Sequence, residues 1–207
     1  MTIAVVTGSR FERAWFARPT TEVATDLIGC LLVSDLASGR TVGRIVETEA
    51  YCGPTDPASH SSWMRTERVA AMARAPGLAY VYRSYGIHAM LNVVAKPDGQ
   101  TGGILIRAVE PLAGLELMAA RRRVTSIPLL CAGPGRLCQA FGITLDDHGT
   151  DLVAGSHIWF EPGTPPAAVS ASGRIGITRG TERQWRFFET GSRFVSGRRP
   201  ADAPVVS

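Results

Sequence analysis

Lysine is almost missing from this chain. Of the 22 basic residues in its 207, 21 are arginine and one, Lys96, is lysine. Chemistry that needs a lysine amine, such as Schiff-base formation, therefore has a single side-chain candidate. Cysteine is scarce as well. Cys30, Cys52, Cys131 and Cys138 form no Cys-x-x-Cys pair and lack the spacing of a zinc site, so they read as reduced, mostly buried thiols. His88, His148 and His157 show no ligand spacing, and no metal or cofactor is expected. No apolar run approaches the length of a membrane span. The segment MTIAVVTGSRFER lacks the basic start and long apolar stretch of a signal peptide. A soluble, cytoplasmic protein with no membrane partner is expected. There is no P-loop, no glycine-rich dinucleotide fingerprint, no internal repeat and no strand–helix–strand alternation.

What is present fits one domain. The apolar fraction, 45%, is that of a globular core, and the net charge of +4 suits an anionic partner without proving one. The first 18 residues read as a loosely packed arm. Thr20 or Thr21 can cap a helix through residue 28, which Gly29 ends. Strands are predicted over 30–36 and 41–51, with a turn at Ser38-Gly39. Gly53-Pro54-Thr55-Asp56-Pro57 breaks the second strand. Residues 58–75 are polar and partly helical at their end. Three short strands follow, over 78–85, 87–95 and 103–110, and their tight turns argue for an antiparallel meander. Leu112, Leu115, Met118 and Ala119 mark an amphipathic helix, with Arg121-Arg122-Arg123 as its solvated C-terminal end. Pro134 starts another helix and Gly142 ends it. Residues 150–195 return to short strands, with Trp159, Ile175, Ile177, Trp185, Phe187 and Phe188 as core candidates. Residues 197–207 read as a disordered tail. The class is α+β with one central, mostly antiparallel sheet.

Two segments carry the chemistry. Residues 44–51 read RIVETEAY. Strict alternation puts Ile45, Glu47, Glu49 and Tyr51 on one face. Two acids there are either a solvated face with surface ion pairs or a partly buried carboxylate serving as a general base. Residues 80–92 read YVYRSYGIHAMLN. Tyr80 and Tyr82 share a face, as core packing or as a stacking surface. Tyr85 sits beside Gly86 at a hairpin tip and should project outward, where a ring can stack on a base or wedge into a duplex. Asn92 and Arg107 stand in apolar strands, and each needs buried partners.

RIVETEAY, DPASH (56–60), YVYRSYGIHAMLNVV, ILIRAVEP and GPGRLCQAFGI together resemble the alkyladenine, or 3-methyladenine, DNA glycosylases. The resemblance runs from about residue 12 to about 196, leaving 1–11 as an arm. It implies a single compact domain with a curved, mostly antiparallel sheet flanked by helices and no helix-hairpin-helix. It implies a monomeric, cofactor-free, monofunctional base-excision enzyme acting on double-stranded DNA. Such enzymes flip out alkylated or deaminated purines (3-methyladenine, 7-methylguanine, hypoxanthine, ethenoadenine) and hydrolyse the N-glycosidic bond, leaving an abasic site. By motif, Glu49 would be the general base, and Arg107 would hold the water beside it. Tyr51, His60 and Tyr82 would sandwich the flipped base, and Asn92 would reject the guanine 2-amino group. Tyr85 would be the wedge, with Ile87 beside it on the DNA. Arg65, Thr66, Arg68, Gly133, Gly135 and Arg136 would meet phosphate. The 61–70 loop departs from the family pattern: Trp63 and Met64 replace small or polar residues, and Val69 stands where asparagine is common. A non-catalytic binder of damaged or bent DNA and a hydrolase of free nucleosides are the alternatives. Glu49 argues against the first, and Tyr85 with the basic loops against the second.

Overall fold

A computed structural model describes residues 10–197 and 204–206. The chain runs through α1 (Arg13–Phe16), α2 (Thr20–Asp26), β1 (Leu31–Leu36) and β2 (Gly39–Tyr51). A 3-10 turn at Gly53–Thr55 precedes α3 (His60–Trp63) and α4 (Glu67–Ala70). Then come β3 (Ala79–Ser84), β4 (His88–Val94), β5 (Gly103–Ala113), α5 (Leu115–Arg122), α6 (Ile127–Leu130) and α7 (Pro134–Phe141). Four short strands close the order: β6 (Ile158–Glu161), β7 (Val169–Ser172), β8 (Arg186–Glu189) and β9 (Val205–Val206).

The long strand β2 organises the sheet. One of its edges pairs with β5; the other is shared, β1 taking its first half and β8 its second. The strands run β3-β4-β5-β2-β8-β7-β9, with β1 and β6 branching from the first half of β2. All pairings among the described strands are antiparallel, so the expected α+β class and the β3-β4-β5 meander are found. The sheet is open rather than closed. Its helix-covered face holds the main core. Ile45, Ala50, Ile104, Ile106 and Val109 there meet Val23 and Ala24 of α2, Leu27 at its C-terminal end, and Leu137, Ala140 and Phe141 of α7. A smaller cluster of Val46, Ala108, Phe188, Phe194 and Val195 lies apart from it.

Strict alternation along β2 fails at a decisive point. Ile45 pairs with Val109 and Glu47 with Ala108, so Val46 is an extra residue; Thr48 then pairs with Ile106, so Arg107 is extra on β5. A bulge of this kind re-aims the side chains that follow it. Ile45 accordingly joins the helix-side core with Ala50 instead of sharing a face with the acids. The same two irregularities bring Arg107 onto the face of Glu47 and Glu49.

Other expectations are corrected by packing. Residues 12–18 are not a loose arm: Phe16 is fully buried, in an aromatic group with Phe11 and Trp15, because Arg13 ties the segment to Asp151 and to the Pro76 carbonyl. Neither Thr20 nor Thr21 caps α2; the Thr20 hydroxyl donates instead to the carbonyl of Ala95. Lys96 is buried rather than displayed in a turn. Ile175 is exposed and Ile177 half-buried, because their loop forms a cavity wall rather than core. In the Arg121-Arg122-Arg123 run, Arg121 and Arg122 donate to the carbonyls of Ala140 and Leu130. Of the segment expected as an arm, residues 1–9 lie outside the described residues. Within the expected tail, Val205–Val206 pair with β7.

Candidate active site

The centre of the site is a buried ionic floor. Glu47 and Glu49 are both fully buried on β2, and two arginines answer them. Glu47 accepts from Arg107 Nε at 3.0 Å and Arg186 Nε at 2.7 Å on one oxygen, and from the Ser196 N–H at 2.6 Å on the other. Glu49 Oε1 accepts from the Ile175 N–H at 2.7 Å. Its Oε2 accepts from the Tyr51 hydroxyl at 2.9 Å and lies 3.1 Å from Arg107 Nη1. Two carboxylates and two guanidiniums balance in charge. Burying them unpaired would be costly.

The two acids have equal numbers of donors, three each, with two on one oxygen and one on the other. They differ in where those donors lie: Tyr51, Arg107 and Ile175 around Glu49 all face one cavity, whereas Arg186 and Ser196 behind Glu47 do not. Glu47 is held by three charged or backbone donors and is fixed on both oxygens. Each carboxylate oxygen can take about two hydrogen bonds. Oε2 of Glu49 already has two donors, whereas Oε1 has one and keeps a free lone pair. Burial pushes the Glu49 pKa up; Arg107, the Ile175 N–H and Tyr51 oppose that, Glu47 adds to it, and the balance lies above the ordinary value of 4.5. Arg107 stays firmly cationic, since Glu49 and Glu47 outweigh the effect of its burial.

Above this floor opens a cavity of about 570 Å³. Glu49 does not line it, but its partners Tyr51, Arg107 and Ile175 do, so the carboxylate lies just beneath the surface of the cavity. Tyr82 and His60 meet edge to face, with centroids 4.6 Å apart, and therefore form one wall rather than two opposed plates. Tyr80 stacks behind Tyr82, and its hydroxyl is 2.7 Å from His60 Nδ1. Burial lowers the His60 pKa, which keeps the ring neutral near pH 7. Tyr51 has one ring face covered by Arg174, 4.7 Å from the centroid, and can offer the cavity only the other. Asn92 is pinned by its amide nitrogen to the carbonyls of Tyr80 and Met90, so it cannot swing aside.

A loop from 173 to 180 completes the wall. Arg174 anchors it through a fully buried ion pair with Asp56, at 2.6 Å, and a hydrogen bond to the carbonyl of Ala50. That anchor sets the Ile175 N–H on Glu49.

At the mouth stands the β3–β4 hairpin. The Ile87 N–H closes the turn onto the Ser84 carbonyl, with Tyr85 at φ 49 and Gly86 at φ 73. Two positive values make a type I′ turn, a form that glycine and asparagine usually fill. A tyrosine there is uncommon and signals a constraint other than stability. Tyr85 is 86% exposed and Ile87 74%.

A family model described as methylpurine-DNA glycosylase matches residues 14–193. The chain belongs to the methylpurine-DNA glycosylase family. It is 45% identical over 201 residues to a protein of Salinibacter ruber, covering 91% of this chain and 97% of that one. A Burkholderia lata protein is 47% identical over 195 residues, 92% of each chain. One from Chlorobium phaeovibrioides is 42% identical over 194, covering 93% of this chain and 99% of its own. All three bear the name 3-methyladenine DNA glycosylase.

Within this family member, the residues expected at the base pocket (Tyr51, His60, Tyr82, Asn92) and Arg107 converge on one cavity. The expected phosphate residues are more mixed. Arg65 and Arg136 are exposed, with hydrogen bonds to local carbonyls. Thr66 caps α4 by accepting from the Val69 N–H, and Arg68 donates to the Val81 carbonyl, so both have structural work. Gly133 leads into Pro134 of α7, which reaches the cavity. Gly135 packs on His88: a Cβ there would come within 3.0 Å of that side chain. Its glycine is explained by helix–strand packing.

Sequence reasoning missed Arg186, Arg174, Tyr80 as the partner of His60, and the 173–180 loop. For Arg186 the signal was present, since an arginine inside the apolar run Trp185-Arg186-Phe187-Phe188 repeats the pattern that singled out Arg107. The four cysteines are unpaired, and burial pushes Cys131 and Cys138 up to about 12. Among the described residues, no cluster of His, Cys, Asp and Glu could hold a metal ion, and no helix is long and apolar enough to cross a membrane.

Proposed function

We propose that this chain excises damaged purines from double-stranded DNA by hydrolysing the N-glycosidic bond, with Glu49 as the general base. The observation that carries this reading is Glu49 itself: a fully buried carboxylate beneath an aromatic cavity, with one lone pair unclaimed and a guanidinium beside it.

The base leaves duplex stacking and enters the cavity, which costs a few kcal/mol, least for a damaged or mispaired base. Tyr85 fills the vacated space and Ile87 lies beside it on the duplex. Tyr82, the edge of His60 and the free face of Tyr51 contact the purine. Alkylation at N3 or N7 makes the purine cationic, which improves its stacking on aromatic faces. A neutral His60 adds no repulsion. The rigid Asn92 amide crowds a guanine 2-amino group and so selects against undamaged guanine; 7-methylguanine carries the same group but is released because its cationic ring leaves readily.

As the bond from C1′ to the purine nitrogen breaks, C1′ becomes oxocarbenium-like. A water on Oε1 of Glu49, steadied by Arg107, gives its proton to the carboxylate as its oxygen bonds to C1′. The electron pair of the broken bond leaves with the purine. It neutralises the positive charge of an alkylated base, whereas neutral hypoxanthine or ethenoadenine leaves with that pair as an anion and takes up a proton from solvent water. The ionised carboxylate also stabilises charge at C1′. General-base catalysis of this type supplies roughly 10²–10⁴-fold.

The product is an intact abasic site. A lyase step needs an amine at C1′, and Lys96 is buried and does not line the cavity. Exposed Arg65 and Arg136, with the backbone at Gly133, are the proposed phosphate contacts; Thr66, Arg68 and Gly135 serve chiefly as supports. The enzyme acts as a monomer in the cytoplasm on DNA bearing 3-methyladenine, 7-methylguanine, hypoxanthine or ethenoadenine.

The test uses duplexes carrying one hypoxanthine or ethenoadenine, and methylated DNA. Strand cleavage appearing only after alkali is the expected result. Cleavage without alkali would overturn simple hydrolysis, and no release from any of these substrates would overturn the enzyme.

A further inference from the structure

Glu47 is the second acid of the strand, and the reaction above gives it no part. Yet it is held on both oxygens by three donors, two of them guanidiniums, and one of those is Arg107. That guanidinium is divided: its Nε donates to Glu47 at 3.0 Å, its Nη1 faces Glu49 Oε2 at 3.1 Å, and its Nη2 donates to the Ser196 hydroxyl at 3.3 Å. A planar fork fixed at Nε has little freedom at its other two nitrogens. Glu47 is in turn fixed from behind. Arg186 Nε binds the same oxygen at 2.7 Å, and the other two Arg186 nitrogens end on Ser172 Oγ at 3.1 Å and the Ser196 carbonyl at 2.9 Å. The Ser196 N–H returns to the second oxygen of Glu47 at 2.6 Å. The segment of Phe194, Val195 and Ser196 is thereby latched onto the sheet, where Phe194 and Val195 pack with Phe188.

We infer that Glu47, braced by Arg186 and the Ser196 backbone, is a positioning residue that withholds part of Arg107 from Glu49 and so keeps Glu49 basic and its free oxygen aimed at the water. Without that brace, Arg107 could turn both terminal nitrogens onto Glu49, as free arginine–carboxylate pairs commonly do. With a guanidinium nitrogen added on Oε1 beside the Ile175 N–H, Glu49 would be a weaker base with no lone pair left for water. Glu47 also acts through its charge, as a like charge beside Glu49. The other groups facing Glu49 are Tyr51 on its own strand, Tyr82 from β3, Arg107 from β5 and Arg174 from the loop. Tyr51, Tyr82 and Arg174 are held by other partners and remain in place when Glu47 is changed; only Arg107 is released. The inference rests on the reading of Glu49 as base.

Glu47→Gln tests it by single-turnover release from a hypoxanthine duplex across pH, with affinity for an undamaged duplex and thermal unfolding measured alongside. The plateau rate is expected to fall by about 100-fold, the scale of a small misplacement at a reacting centre. The ascending limb of the pH profile is expected at lower pH than in the wild type, because the like charge is gone and Arg107 is released. Duplex affinity should stay within about twofold, as Glu47 does not reach the cavity. A loss of thermal stability with the wild-type rate and pH profile would overturn the inference and reduce Glu47 to a structural role. If Glu47→Gln does not fold, Glu47→Asp decides: it keeps the charge but shortens the reach to Arg107. Its rate should fall by about tenfold, with the limb displaced less than in Glu47→Gln because the like charge is kept, and an unchanged rate would overturn the inference. If the wild type itself releases no base, the reading of Glu49 fails instead, and the two failures are distinguishable.

Discussion

The floor and the hairpin tip of this molecule solve opposite problems. On the floor, Glu47, Glu49, Arg107 and Arg186 are charged and buried, and every one has found partners. At the tip, Tyr85 and Ile87 are largely apolar and almost wholly exposed, on a turn that disfavours a tyrosine. The floor is costly to break and held rigid. The tip contributes little to the fold and is free to meet something else. Stability and DNA affinity should therefore separate cleanly between the two regions.

The largest effect on stability is expected at Arg186. Arg186→Ala removes a guanidinium that is 1% exposed and leaves Glu47 short of a charged partner. Breaking a buried pair in this way costs about 3–5 kcal/mol. Urea unfolding should show it as a lower midpoint, and an unchanged midpoint would mean that the floor is not held by charge. Tyr85→Ala should do the reverse. Its unfolding midpoint should stay close to wild type, while duplex affinity falls by about 1–3 kcal/mol, the worth of one stacked ring. An equal loss on single-stranded DNA would remove the wedge role. The smallest effect belongs to the exposed cations. Arg136→Ala should weaken binding to all sequences alike and reduce the slope of log affinity against log salt by about 1. An unaltered slope would take that residue off the phosphate.

Much of this contrast could be read from the chain. Tyr85 beside Gly86 pointed outward by position alone, because local turn chemistry fixes a hairpin tip. The β3-β4-β5 order was legible for the same reason. Glu49, Arg107 and Asn92 stood out as polar residues in apolar strands, which burial then explains. The face of Ile45 was not legible. Alternation is a local rule, and the extra residues Val46 and Arg107 arise from how β2 and β5 fit their non-local partners. Nor could spacing show that the Arg174 loop reaches back some 120 residues to Asp56. Ile175 therefore read as core when it is the residue whose backbone N–H holds Glu49 Oε1.

The central claim is that Glu49, not Glu47, takes the proton from water. Glu49→Gln keeps the size of the side chain and removes its basicity. On a duplex with one hypoxanthine, single-turnover release should fall by at least about 10² while the duplex remains bound. The wild-type rate should drop with acid along a limb whose midpoint lies above 4.5, because burial raises the Glu49 pKa and the ionised form is the active one. Release by Glu49→Gln at the wild-type rate, with that limb intact, would contradict the account and move the base elsewhere.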